Sequence, residues 1–127
     1  MSAPKKAKIF KEVAPLKKYL SEKLGDSEIT MISGGFAPPH GAHCDYIRSA
    51  ALLNQDNLLV AVVNGDDWLM RKKNFIFMSE DERANIISSI SGVDIVLIWD
   101  DGTPTVSGAI KAIKPKIFAK GGDRDSK

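Results

Sequence analysis

The 127-residue chain has one cysteine, Cys44, so it can form no internal disulfide and its core must hold by packing alone. A lone thiol also fits a reducing compartment. No stretch reaches the about 18 consecutive apolar residues of a membrane span. The N-terminus lacks the apolar segment of a secretory signal, and a cytoplasmic protein with no membrane partner is expected. Two phosphate-binding signatures are missing as well. There is no GxxxxGK[ST] run and no GxGxxG fingerprint, which excludes a P-loop and a dinucleotide site of the usual type. Charge of one sign is scarce overall: a net +2 is too small to imply nucleic-acid binding.

What is present is an ordinary globular composition, 43% hydrophobic and 27% charged, in a length that suits one domain with a real core. The charge is unevenly spread. Residues 1–24 carry Lys5, Lys6, Lys8, Lys11, Lys17, Lys18 and Lys23 against Glu12 and Glu22, a net +5, which leaves −3 for the rest. Such a segment can touch phosphates, but it is also what the wet face of an amphipathic helix looks like.

The apolar pattern predicts the elements. Ile9, Phe10, Val13, Leu16, Leu20 and Leu24 recur at helical spacing. Pro15 suits a first helical position and Gly25 a C-cap, so a helix is expected from about Pro15 to Leu24, preceded by a shorter helical piece. From there strands and helices alternate. Strands are expected at Glu28–Ser33, Leu58–Val63, Asp94–Trp99 and Lys116–Ala119. Helices are expected from Gly41 to Leu53, after Ser79 with Glu82 as its capping-box partner, and over Thr105–Ile113 behind Pro104. Residues 66–73 read as a polar loop. The order is that of an α/β fold: a Rossmann-like parallel sheet with helices on both faces and an N-terminal helical extension. Residues 1–27 form the extension and 28–127 the domain.

In such sheets ligands sit beyond the carboxyl ends of the strands. The stretch GGFAPPHGAH, residues 34–43, follows the first of the four expected strands. Asn64–Lys73 follows the second, Trp99–Gly102 the third and Lys120–Asp123 the fourth. Gly34 and Gly35 let backbone approach a ligand, and the helix after His40 offers unpaired N–H groups to an anion. His40 and His43, three apart, can share one side of that helix. Arg71, Lys72 and Lys73 add cations from the next loop. Together these describe a polyphosphate site. Taken singly each has a plainer explanation: helix-terminal histidines, a solvated basic loop, Trp68 and Trp99 as packing residues, Cys44 as a small buried one. Trp68 also lies near enough to stack on a base. A protein-borne metal would need a third ligand at suitable spacing, and none is evident.

GGFAPPHGAH resembles the GxFDxxHxGH signature of the HxGH nucleotidyltransferases, the cytidylyltransferase-like superfamily. That superfamily includes glycerol-3-phosphate cytidylyltransferase and the nucleotidyltransferase domain of ADP-heptose synthase. NGDDWLMRKK, FMSEDERANII, the VDIV segment and KPKIFAKGGD extend the likeness from about Ile29 to Asp123, and KPKIFAKGGD leans towards the ADP-heptose synthase branch. The resemblance implies Mg²⁺-assisted transfer of AMP or CMP from ATP or CTP to a phosphorylated sugar or alcohol, with pyrophosphate leaving. By family role His40 and His43 would donate to the phosphates, and Lys73 would bind them with Lys72 beside it. Gly34, Gly35 and Phe36 would shape the nucleotide pocket. Gly121, Gly122 and Asp123 would edge base and ribose, and Arg83 matches a family arginine at the nucleotide.

The resemblance has three departures. Ala37 stands where the family has Asp, Ala42 replaces the glycine of HxGH, and the sequence stops at Lys127, before the family's Ser/Thr-rich motif and final helix. The last implies a shortened form or a site lacking part of its contacts. They keep open an alternative of the same fold, a nucleotide-binding protein impaired in catalysis. A homodimer is a further expectation, resting on the family and on Ile86-Ile87 and Ile90 beside Val93 and Val96.

Overall fold

Six apolar residues follow one another from Leu58 to Val63, which suits a strand with no wet face. The computed structural model places that strand at the centre of the sheet. The structure describes residues 6–23, 25, 27–36, 39, 41–52, 57–103 and 105–119. In chain order the elements are β1 (Lys8–Phe10), α1 (Val13–Lys23), β2 (Glu28–Gly34), α2 (Gly41–Ala51), β3 (Asn57–Asn64), α3 (Asp66–Lys73), α4 (Glu80–Ser88), β4 (Ile95–Trp99), α5 (Ser107–Ile113) and β5 (Ile117–Phe118). The five strands form one sheet in the order β1-β4-β3-β2-β5, and every pairing is parallel. The expected Rossmann-like α/β architecture is what the chain adopts.

Because successive side chains of a strand point to opposite faces, β3 feeds two cores. Val60 and Val62 pack with Leu16 and Leu20 of α1 and Ala109 and Ile113 of α5. Ala61 and Val63 pack with Ile47 of α2 and Ala84 and Ile87 of α4. The same layers account for most of the stretch on which the homodimer expectation rests. Ile87, Val93 and Val96 are core and Ile90 packs against it, which leaves Ile86 as the exposed member. No helix among the described residues is long and apolar enough to cross a membrane.

Two expectations change. The short helical piece before Pro15 is a strand: Lys8, Ile9 and Phe10 pair with Ile95, Val96 and Leu97 and extend the sheet beyond β4. Phe10 turns into the α1/α5 core while Ile9 is exposed, an alternation too brief to separate from helical spacing in the sequence. The helix then starts two residues before Pro15. That proline sits in the first turn, where a missing N–H loses no bond.

The second change is at residues 66–73, a helix rather than a polar loop. Leu69 is its one buried residue, so no apolar period betrays it. Its charges do fit a helix, with Asp66 and Asp67 in the first turn and Arg71, Lys72 and Lys73 in the last, each sign placed to oppose the helix dipole. Asn74, in the left-handed region, closes it by donating to Met70 O. The next helix is capped as expected, Ser79 Oγ accepting the Glu82 N–H at 3.2 Å.

Candidate active site

All strands run parallel, so their carboxyl ends share one edge of the sheet, and the starts of α2, α3, α4 and α5 are reached from that edge. The chain leaves β2 through Gly34, Gly35 and Phe36. Phe36 is almost fully buried and takes a left-handed backbone with φ 50°. That turn folds its ring back on its own strand. A β-carbon at Gly34 would lie 3.1 Å from Phe36 Cζ, and one at Gly35 would lie 3.3 Å from Leu69 Cδ2. The two glycines therefore make room for the protein's own side chains, Phe36 and α3, a role the sequence does not distinguish from room for a ligand.

The Phe36 ring in turn meets His43 edge-on, with centroids 4.9 Å apart at 75°. His43 is half-buried in the first turn of α2, a turn free of acidic residues. An imidazole at a helix start is thus fixed at the carboxyl edge by a buried aromatic ring. His40 lies outside the described residues, as do Ala37, Gly121, Gly122 and Asp123. Cys44, expected to be buried, is half-exposed.

Arg83 departs most from its expected place. Its residue exposure is zero, and its guanidinium points into the fold. Nη1 donates to Gly35 O at 2.7 Å and to Asn64 O at 2.5 Å, Nε donates to Met78 O at 2.9 Å, and Nη2 donates to Asp66 Oδ1 at 2.9 Å. One side chain therefore fastens the ends of β2 and β3 and the starts of α3 and α4. This is a positioning residue for the edge, engaged with backbone where nucleotide contact was expected. Asp66 and Glu80 complete the knot: Glu80 N donates to Asp66 Oδ1 at 2.7 Å, and Asp66 N to Glu80 Oε1 at 2.8 Å. Each carboxylate caps the other's helix. Sequence reasoning passed over this pair, although acidic residues opening two consecutive helices were its visible signal.

The helix α3 lies across the edge. Its Leu69 and Trp68 approach Gly35 at one side, and Arg71 grips Asp100, beyond β4, with two hydrogen bonds of 2.6 and 3.2 Å. That grip holds the Asp100 carboxyl below its ordinary value, helped by the Gly102 N–H and opposed by partial burial. The hydroxyl and N–H of Thr103 hold Asp101 down likewise. Lys72 and Lys73 are exposed at the end of α3, and Lys72 Nζ stands 5.6 Å over the Trp68 ring. Trp68, Arg71, Lys72 and Gly102 line a cleft of ≈ 290 Å³. His43 and the two lysines thus occupy the same edge from separate helices.

A larger groove of ≈ 840 Å³ lies at the opposite, amino edge, where Lys6, Lys8, Tyr19 and Lys23 face Ile90 and Asp94. Three of the N-terminal lysines are accounted for there, and Lys11 pairs with Asp81 at 2.9 Å. Lys6, Lys8 and Lys23 therefore face away from the histidine, whereas Lys11 reaches the start of α4.

Comparison with known proteins matches residues 31–127 to the cytidylyltransferase-like family. The chain is 33% identical over 114 residues to a bifunctional protein HldE of Helicobacter pylori strain P12, covering 88% of this chain and 24% of that protein. It is 34% identical over 120 residues to a bifunctional protein HldE of Campylobacter concisus, covering 93% of this chain and 24% of that protein. The chain spans about a quarter of the length of these curated relatives. Among solved structures, a lipopolysaccharide core biosynthesis protein from Thermoplasma volcanium matches with a TM-score of 0.61 and 26% identity, over 72% of this chain and 71% of that one.

Proposed function

The chain belongs to the cytidylyltransferase-like family, and on that premise we propose that it transfers AMP or CMP from ATP or CTP to a phosphorylated sugar or alcohol. Nucleotidyl transfer as a class is supported by the family match and by the HldE relatives, and the KPKIFAKGGD block inclines the choice towards ATP. The observation that carries the reading is the pairing of the His43-bearing start of α2 with the Arg71-Lys72-Lys73 end of α3 on one sheet edge.

The chemistry is a displacement at phosphorus. A phosphate oxygen of the acceptor forms a bond to the α-phosphorus of the NTP, the bond from that phosphorus to the bridging oxygen breaks, and pyrophosphate leaves with the electron pair. The attacking group is already anionic, so no strong base is required. What the site must supply is positive charge on the crowded phosphorus and on the departing pyrophosphate. His43, with His40 as its sequence partner, would donate to the phosphates, and Lys72 and Lys73 would neutralise the leaving group. Mg²⁺ would arrive on the triphosphate, which supplies most of its oxygen ligands. Among the described residues no three His, Cys, Asp or Glu side chains stand close enough to hold a metal.

Pyrophosphate release from each of the four NTPs, with and without Mg²⁺ and with a panel of phosphorylated sugars and alcohols, tests this. Release that needs both an NTP and an acceptor is the expected result. NTP-induced stabilisation without release would instead identify a nucleotide-binding protein; a ligand at 100 times its Kd adds about 2.7 kcal/mol.

A further inference from the structure

Two side-chain atoms among the described residues are buried with no hydrogen-bond partner: Asn64 Oδ1 and Trp99 Nε1. They are not scattered. Asn64 ends β3, Trp99 ends β4, and the two residues are paired in the register of those strands. Residues paired across parallel strands project to the same face, here the α1/α5 face, where Val62 and Leu97 precede them and Trp99 packs. Asn64 is 5% exposed, so leaving its carbonyl oxygen unmatched carries the cost of desolvating it. The indole N–H beside it can only donate. An acceptor and a donor on register-paired residues at the carboxyl edge can both be met by a hydroxyl, which donates once and accepts.

We propose that Asn64 and Trp99 form the subsite that reads a hydroxyl of the acceptor, the hydroxyl donating to Asn64 Oδ1 and accepting from Trp99 Nε1. This rests on the transferase reading and adds that the phosphorylated acceptor carries a free hydroxyl. The surroundings agree. Gly108 opens α5 against the indole so tightly that a β-carbon there would lie 2.8 Å from Trp99 Cζ2 and 2.7 Å from Asp101 Oδ2. Trp99 itself is half-buried, and the turn Asp101–Thr103 that follows it is exposed. A hydroxyl bonded to both atoms would supply the partners they lack.

The test uses the full chain with ¹⁵N-labelled tryptophan, its two indole signals assigned with Trp68→Phe. With ATP or CTP and Mg²⁺ present, glycerol 3-phosphate and the 1-phosphates of glucose and mannose are titrated against ethyl phosphate, which has no hydroxyl on its carbon chain. The expected result is that a hydroxylated phosphate moves the Trp99 N–H downfield and slows its exchange with solvent, whereas ethyl phosphate does not. Trp99→Phe should then raise the acceptor KM about tenfold or more, with the NTP KM nearly unchanged. A Trp99 signal that no hydroxylated phosphate moves, or that ethyl phosphate moves equally, overturns the subsite, leaving the pair to a structural water. Pyrophosphate release alongside a silent Trp99 would leave the transferase reading intact. Absence of both release and NTP binding would remove the two together.

Discussion

The guanidinium of Arg83 meets the Asp66 carboxylate at 2.9 Å while wholly shielded from solvent. A buried charge loses its hydration, and here the carboxylate and three backbone carbonyls replace it. Removing the arginine would take this donor from the three carbonyls, while Asp66 would keep its bond from Glu80 N. Arg83→Ala is expected to destabilise the fold by about 3 kcal/mol or more, read as a lowered urea midpoint. If Arg83 instead served the nucleotide directly, the variant would lose NTP affinity and keep its midpoint.

Gly34→Ala places a methyl 3.1 Å from the Phe36 ring, so the ring must shift. Overpacking of this kind costs about 1–3 kcal/mol. Because the same ring abuts His43, turnover should drop further than the loss of folded protein explains. Equal turnover per folded molecule would show that the imidazole is placed without Phe36.

His43→Ala should reduce kcat about 100-fold, the scale of losing one donor to developing charge. Stability should fall by about 1 kcal/mol, through the lost contact with Phe36. A kcat within a few-fold of wild type would remove His43 from the chemistry.

Lys73→Ala and Lys72→Ala are expected to raise the NTP KM, and to weaken its dependence on ionic strength, because both side chains meet water and act through screened charge. Steady-state assays at two salt concentrations read this directly. A KM that neither variant changes would place the triphosphate elsewhere.

Asp100 gives a pH dependence of known sign. Its carboxyl is held below the ordinary 3.8 by Arg71, so its ion pair stabilises the fold above that pH and is lost as pH falls through the lowered value. Asp100→Asn should therefore melt below wild type at pH 7, with the difference closing on acidification below about pH 4. A gap that does not narrow at all on acidification would mean the carboxylate's charge is not what Arg71 needs.

The fold was legible wherever a strand is buried on both faces. Residues 58–63 and 95–99 are apolar runs that suit little else, and the glycine at 25, with φ 54°, has the backbone expected of a C-cap. The errors came where the signal is short. Three residues of β1 cannot show a period of two, and α3 buries a single side chain, so its helix is written in charge rather than in hydrophobicity. His43, Lys72 and Lys73 lie at the carboxyl edge where the sequence put them, since topology alone does that. It could not tell that Arg83 turns inward, because the carbonyls that receive it are anonymous in sequence. Asn64 looked like a strand's polar end, and Trp99 like packing. Their significance lies in a missing partner, which only coordinates reveal.

The reciprocal caps at Asp66 and Glu80 turn α3 into a lever. Its first residue is clamped by Arg83 and Glu80, and its far end is held to the sheet by the Arg71–Asp100 grip. At about 1.5 Å per residue, Lys73 rides roughly 10 Å from that fulcrum, so a tilt of about 10° swings it by about 2 Å. The fastening nearest the lysines is the more exposed of the two, the Arg71 side chain showing 45% of its surface against none for Arg83. Dissolved salt thus screens the outer fastening, beside the lysines, far more than the inner one.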